Sequence, residues 1–174
     1  MKHELKSFKR PEICLKIIEC PTKQLDVWSI FGFDKHHYLT EKQNKGARVF
    51  VALWNERPIA LCSILAFPNR NFKNAWRGHR LVVLPDFQGL GIGVAMSEWV
   101  GEKMLEENKR YFCKTANIKL GDKRNKSLKW RGTTKNGKKR KDYGVGSTKN
   151  QTKFNNLEKH IDRVCYSHEY IGIT

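Results

Sequence analysis

Residues 81–93 read Leu-Val-Val-Leu-Pro-Asp-Phe-Gln-Gly-Leu-Gly-Ile-Gly, and this stretch decides the fold. Leu81–Leu84 are apolar, as a buried strand requires, and Pro85 ends that strand because it has no N–H for a ladder. Gly89, Gly91 and Gly93 then fall at every second position. Glycine lets a backbone bend sharply and approach a ligand with no Cβ in the way. An amphipathic segment follows at once. Ile92, Met96, Val100 and Met104 recur every four residues, Trp99 widens that face, and Glu98, Glu102, Glu106 and Glu107 sit mostly elsewhere. The spacing predicts a helix over Gly91–Asn108. The first amides of a helix have no partners within it and carry partial positive charge. Turn and helix start therefore form a nest for a diphosphate.

Working outward, the segments on either side alternate between strand and helix character. Ile13–Glu19 reads as a first strand, and Thr22–Phe31 as a helix that Thr22 can cap. Phe33–Asn44 is polar with aromatic insertions and reads as a short helix or loop. Ala47–Trp54 and Ile59–Phe67 are apolar and β-branched, with Asn55-Glu-Arg-Pro58 between them, which predicts a hairpin. His79–Leu84 is the strand that enters the glycine turn. Beyond the helix, Tyr111–Thr115 reads as a strand, Gly121–Leu128 as a short helix and Ile161–Ile171 as a closing strand. The mixed order predicts an α/β (α+β) protein with a central mixed sheet, partly antiparallel with one parallel crossover, flanked by helices. Its 174 residues suit a single domain over 1–174, with a basic loop or hairpin insertion at about 132–155.

Composition narrows the function classes. No apolar run reaches the roughly 20 residues that a membrane helix needs, and the charged N-terminus leads into no apolar signal core. The expectation is a soluble, intracellular (cytoplasmic) protein with no membrane partner. The five cysteines are scattered with no CxxC pair, which argues against a disulfide framework or zinc cage, and no metal site is assigned. Cys62 and Cys113 lie in apolar runs, where a buried thiol is expected. The formal charge is +17, and residues 109–153 hold sixteen Lys and Arg against Asp122 and Asp142 alone. Such a field attracts polyanions: nucleic acid, nucleotide phosphates or acidic protein surfaces.

The phosphate nest is not a Walker A loop, because Gly-Lys-Ser/Thr is absent, and GxGxxG fails at Val94. Val83-Leu84-Pro85 followed by Gln88-Gly-Leu-Gly91-Ile-Gly93 instead resembles the acetyl-CoA motif of the GNAT acyltransferases, Gln/Arg-x-x-Gly-x-Gly/Ala. The residue-level match runs over about 81–105. The resemblance implies a GNAT-like acyl-CoA N-acyltransferase fold, acetyl-CoA as acyl donor and an amine as acceptor. It implies that backbone groups of Leu81, Val82 and Val83 bond the pantetheine arm, and that amides over Gln88, Gly89, Leu90, Gly91, Ile92, Gly93 and Val94 hold the diphosphate. Asn125 is a further candidate for contacting CoA. The family splays two adjacent parallel strands here, and the thioester would sit in that cleft.

Chemistry needs a base for the acceptor amine, a donor for the developing oxyanion and an acid for the thiolate. Candidate catalytic side chains are His36, His37 and Tyr38 before the hairpin, His79 on the CoA strand, and Ser127 as a thiolate acid. Tyr111, His168 and Glu169 are further candidates. Trp130 stands near where the family places a late tyrosine, a departure that leaves the acid unassigned. The set His36-His-Tyr38, Trp76-Arg-Gly-His-Arg80 and Arg124-Asn-Lys-Ser-Leu-Lys-Trp130 also resembles phage-encoded GNAT-like proteins of the Mom type, which modify DNA bases. That branch would imply a nucleic-acid acceptor, with cations for phosphates and Trp130 and Tyr143 for stacking. A noncatalytic nucleic-acid binder on the same fold is the third reading.

Overall fold

The computed structural model describes residues 12–21, 27–36, 44–68, 70–139 and 164–173. The elements run in the order β1 (Lys16–Cys20), α1 (Val27–Ile30), a 3₁₀ turn (Phe33–His36), β2 (Arg48–Trp54), β3 (Arg57–Ala66) and β4 (Ala75–Val83). A second 3₁₀ turn (Pro85–Phe87) leads into α2 (Ile92–Glu106), then β5 (Arg110–Thr115), α3 (Ile118–Asn125), β6 (Trp130–Gly132), β7 (Lys138–Lys139) and β8 (Val164–Tyr170). The strands lie in the order β1-β2-β3-β4-β5-β8-β6, with β7 pairing β8. Among the described residues only the β4–β5 pair is parallel. The predicted sheet with one parallel crossover is what forms, and α2 is the crossover.

The central strands are covered on both faces, which explains their near-continuous apolar runs. On one face Phe50, Ala52, Cys62 and Ile64 meet Met96, Val100 and Met104 of α2 together with Tyr111, Trp130 and Tyr170. On the other, Val49, Val51, Leu61 and Val82 pack under Val27, Trp28 and Phe33. The four-residue repeat of α2 is fully buried, from Ile92 at 3% exposed to Met104 at 0%. Each such side chain contributes about 1.5–3 kcal/mol relative to exposure. Cys62 and Cys113 are buried thiols, as their apolar surroundings predict, and burial pushes Cys62 up to about 12.

Several elements differ from the sequence reading. β4 begins at Ala75, four residues before the expected His79, because Gly78 breaks the apolar pattern without breaking the ladder. α3 starts at Ile118 rather than Gly121: Asn117 caps it by accepting the Leu120 N–H at 3.0 Å. β6 and β7 are too short to carry a period: β6 starts just ahead of, and β7 lies within, the segment expected as a basic loop or hairpin. The expected basic insertion lies mostly outside the described residues, as does the Thr22 cap. Among the described residues, no helix is long and apolar enough to cross a membrane.

Candidate active site

β4 carries the site because it leaves β5 part-way along. Its parallel register with β5 covers only Ala75↔Arg110, Trp76↔Tyr111 and Arg77↔Phe112. From Gly78 onward β4 stays with β3 alone, while Cys113–Thr115 stay with β8. The two strands fork at Gly78. A Cβ there would meet the Cys113 Sγ at 2.9 Å and the Tyr111 Oη at 3.4 Å, so glycine lets the strands pass at the fork. On its other side β4 pairs Arg80 with Ser63 and Gly78 with Ile64, which leaves His79 as the extra residue of a bulge.

Beyond the fork one edge of β4 has no strand partner. The Leu84 N–H donates to the Ile59 carbonyl at 2.9 Å, which sets the phase of the ladder. With Val83 opposite Ala60, the N–H and C=O of Val82 face β3, and those of Leu81 and Val83 face the open edge. The groups on that edge thus belong to Leu81 and Val83, while Val82 contributes its side chain to the core. The Val83 carbonyl accepts from the Gln88 Nε2 at 3.0 Å, so Gln88 ties the turn to the strand it leaves.

The glycines then do separate jobs. Gly89 and Gly91 have φ of +81° and +86°, and a Cβ on either would point into open space. That left-handed backbone favours glycine. Gly91 is the N-cap of α2 and offers no side-chain cap. Gly93 is instead a close-approach residue, where a Cβ would stand 3.3 Å from Val83 Cγ2. The first N–H of this region to find an acceptor is that of Val94, which donates to the Gly91 carbonyl. The five preceding N–H groups, from Gly89 to Gly93, bond no described protein group. Unpartnered N–H groups at a helix N-terminus suit an anion.

The candidate side chains are dispersed. His79 stands at the fork, half-buried, with Nδ1 3.4 Å from Ser63 Oγ. His36 is exposed at the end of the first 3₁₀ turn, which packs against β4. His37 and Tyr38 lie outside the described residues. Ser127 sits in the turn before β6, where its Oγ accepts the Lys129 N–H. Tyr111 is 1% exposed, and burial raises its phenol well above its ordinary range. Asn125 accepts through Oδ1 from the Asn136 Nδ2 at 2.9 Å and from the His168 Nε2 at 2.7 Å. His168 is fully buried, with burial and then nearby Arg124 lowering its pKa, so it is neutral with the proton on Nε2. Burial pushes Glu169 up, but bonds from Arg110 and Arg131 outweigh it and hold the carboxyl below its usual range. A carboxylate paired twice is a weak base.

Two features lay beyond the sequence reading. Arg124 is 3% exposed, donates to the Ser97 Oγ and stacks its guanidinium 4.4 Å from the Trp130 ring centre, and among the described residues it makes no ion pair. A pocket of ≈ 230 Å³ also opens at the fork, with Arg77, Gly78, Phe112 and Cys113 in its wall. Nothing in the spacing of these residues marks them, because the fork alone brings them together.

Residues 45–130 match the family model of the acetyltransferase (GNAT) domain. That segment is a GNAT-type acetyltransferase domain. No curated protein matches it in sequence. Among solved structures, the ribosomal-protein-S18-alanine N-acetyltransferase from Escherichia coli is similar at 14% identity and a TM-score of 0.59, over 92% of this chain and 96% of that one. An IAA acetyltransferase from Bacillus cereus gives 16% identity and 0.57, over 90% and 99%. A GNAT family acetyltransferase from Elizabethkingia anophelis with acetyl-CoA bound gives 15% and 0.55, over 91% and 98%. Those identities speak to the fold. The GNAT-matched segment spans β2 to the start of β6 and so contains the fork, the glycine turn and α2.

Proposed function

We propose that this chain transfers an acetyl group from acetyl-CoA to the nitrogen of an amine acceptor. The observation that carries the reading is the row of five open N–H groups from Gly89 to Gly93 beside a forked strand edge. Those amides hold the diphosphate, with Gln88 and Val94 bracketing the turn. The open N–H and C=O of Leu81 and the open N–H of Val83 take the pantetheine amides as an added strand would. Bound acetyl-CoA supplies a thioester carbonyl carbon open to a nucleophile. The amine forms the new N–C bond, the C–S bond breaks, and the proton lost by nitrogen balances the departing thiolate. An open-edge N–H of β4 offers the oxyanion a donor.

His79 is the candidate base. It stands at the fork with Nδ1 3.4 Å from the Ser63 Oγ, and the tautomer that donates from Nδ1 to that oxygen carries its lone pair on Nε2. Holding both reactants in one cleft supplies much of the acceleration. Ser127 and Asn125 have internal partners and act on the shape of the α3–β6 corner. His36 remains a candidate for orienting the acceptor.

The test is direct. Acetyl-CoA raises the melting temperature, and release of free thiol depends on an added amine. His79→Gln lowers kcat by about 10²–10⁴-fold with acetyl-CoA affinity retained. A chain that takes up no acetyl-CoA is not this enzyme. A nucleic-acid partner inside the cell is a second reading, favoured by the formal charge of +17. It predicts DNA or RNA retention that falls steeply with salt and weakens when Lys138, Lys139, Arg140 and Lys141 are neutralised. Altered nucleoside mass in DNA from expressing cells would extend it to base modification.

A further inference from the structure

The pocket at the fork opens on the sheet face opposite α2. In β5, Tyr111 and Cys113 turn toward the α2 core, so Phe112 and Lys114 turn the other way, as do Arg77 on β4 and Ser167 on β8. Three half-buried aromatic rings, Phe67, Phe72 and Phe112, gather there. Phe112 is 6.0 Å from Phe67 and 5.3 Å from Phe72, centre to centre. None of the three belongs to either hydrophobic core. A cluster of rings left outside both cores and facing a cavity is what binding sites for small molecules present.

The remaining wall is cationic and hydroxylic. Arg77 and Lys135 line the pocket and make no ion pair among the described residues. Thr133 and Ser167 add hydroxyls, bonded to each other at 2.8 Å. No carboxylate among the described residues lines the cavity. Glu169, the register partner of Phe112 on that face, is held by Arg110 and Arg131 at 2.6 and 2.7 Å. Arg110 in turn lies 4.2 Å over Phe72 and 5.0 Å over Phe112. The local balance is positive, and a polycation would meet like charge with no acid to receive it.

Resting on the acetyl-transfer reading above, we propose that this pocket is the acceptor site and that it takes an amine whose planar ring carries a negatively charged tail. The phenylalanines take the ring, and Arg77 and Lys135 take the anion. A volume of ≈ 230 Å³ sits below the usual range of about 300–1,000 Å³, which fits one ring system with its tail toward the open mouth. The tail is a carboxylate, as in an aromatic amino acid, or a phosphate, as in a nucleotide.

The experiment measures equilibrium binding to the CoA-loaded protein in two matched pairs. Phenylalanine is compared with phenethylamine, and adenosine monophosphate with adenosine. At least one anionic member is expected to bind about tenfold or more tighter than its partner, ~1.4 kcal/mol. Arg77→Gln with Lys135→Gln should erase that difference, and Phe72→Ala should weaken both members alike. Preference in the first pair alone identifies a carboxylate, and in the second alone a phosphate. Equal binding, tighter binding of the amine without the acid, or no anionic binding below ~1 mM overturns the proposal. Acetyl-CoA binding is titrated separately. Its absence removes the transfer reading, and its presence with selective acylation of phenethylamine removes only the acceptor assignment.

Discussion

The two ends of α2 are built for opposite purposes. Its N-terminal turn is open: Gly89 and Gly91 have positive φ with nothing beyond their chain neighbours within 4 Å of an added Cβ, and five N–H groups bond no described protein group. Its later turns are sealed. At Gly101 an added Cβ would stand 2.4 Å from Cγ of Tyr170, and Met104 is fully buried. Past the last turn, Glu107 is clamped by both Arg48 and Lys109. Glycine appears at both ends for different reasons. At the first it frees the backbone for a ligand, and at the second it makes room for a ring. A helix anchored firmly at one end can leave its other end unsatisfied until something anionic arrives.

The largest effect expected from breaking this contrast is at the sealed end. Gly101→Ala drives a methyl into the Tyr170 ring, which is itself fixed by its bond to Glu102 and its contact with Trp130. The ring cannot swing aside, so the loss is about 3 kcal/mol. A urea titration reads it as a lowered midpoint. Gly121→Ala, whose Cβ would collide with the Tyr166 ring, should act similarly. In both variants the molecules that remain folded keep their affinity for acetyl-CoA.

The open end reverses that pattern. Gly91→Val finds room for its side chain but must hold φ near +86°. The strain costs about 1–2 kcal/mol of stability. Acetyl-CoA affinity falls by more than tenfold, over ~1.4 kcal/mol, because the side chain projects where the diphosphate sits. Isothermal titration checks it. If Gly91→Val left affinity intact while Gly101→Ala abolished it, the assignment of roles to the two ends would be wrong.

The legibility of the sequence divides along the same line. Turn glycines are visible because they come with a strand before, a four-residue apolar repeat after and Gln88 at a fixed offset. All of that is local. Gly101 and Gly121 are invisible, because the rings they accommodate come from β8, more than forty residues on in the chain. The same holds for the site. Leu81–Val83 and Gln88–Val94 were singled out from one continuous segment. The fork at Gly78 and the rings of Phe67, Phe72 and Phe112 required knowing which strands part. His79 was a residue among several until the bulge set it at the fork, while Asn125 and His168 proved to be partners of each other.

Charge at the sealed end gives a pH signature. Hydrogen bonds from Arg48, then Lys109, hold Glu107 down to about 2 against an ordinary value of 4.5, outweighing partial burial. Above 4.5 the carboxyl is ionised in folded and unfolded chains alike, and the whole stabilisation is present. As pH falls from 4.5 toward 2 the unfolded chain takes up the proton first, so stability is lost across that window. Arg48→Met should flatten this part of the denaturation profile and lower stability at neutral pH, because it also leaves Glu19 unpaired. His168 adds a second slope. Its lowered pKa means the unfolded chain binds its proton more readily, so stability falls as pH drops below 6.5.

The smallest expected effect tests how the open end keeps its shape. Gln88 spans from the turn to the Val83 carbonyl, and both partners are accessible enough for water to replace the bond. A hydrogen bond of that kind contributes about 0.5–1.5 kcal/mol. Gln88→Ala should therefore change the melting temperature little. What it removes is order before binding, since the turn then samples states in which the five N–H groups no longer converge. The cost appears as a several-fold weaker acetyl-CoA affinity. Gln88→Glu is the sharper version. It keeps the length, loses the Nε2 donor and puts a negative charge beside the diphosphate. It should weaken binding more than Gln88→Ala, with the difference shrinking as salt is raised. Equal affinities in the two variants would mean that Gln88 neither shapes the turn nor stands near the bound anion.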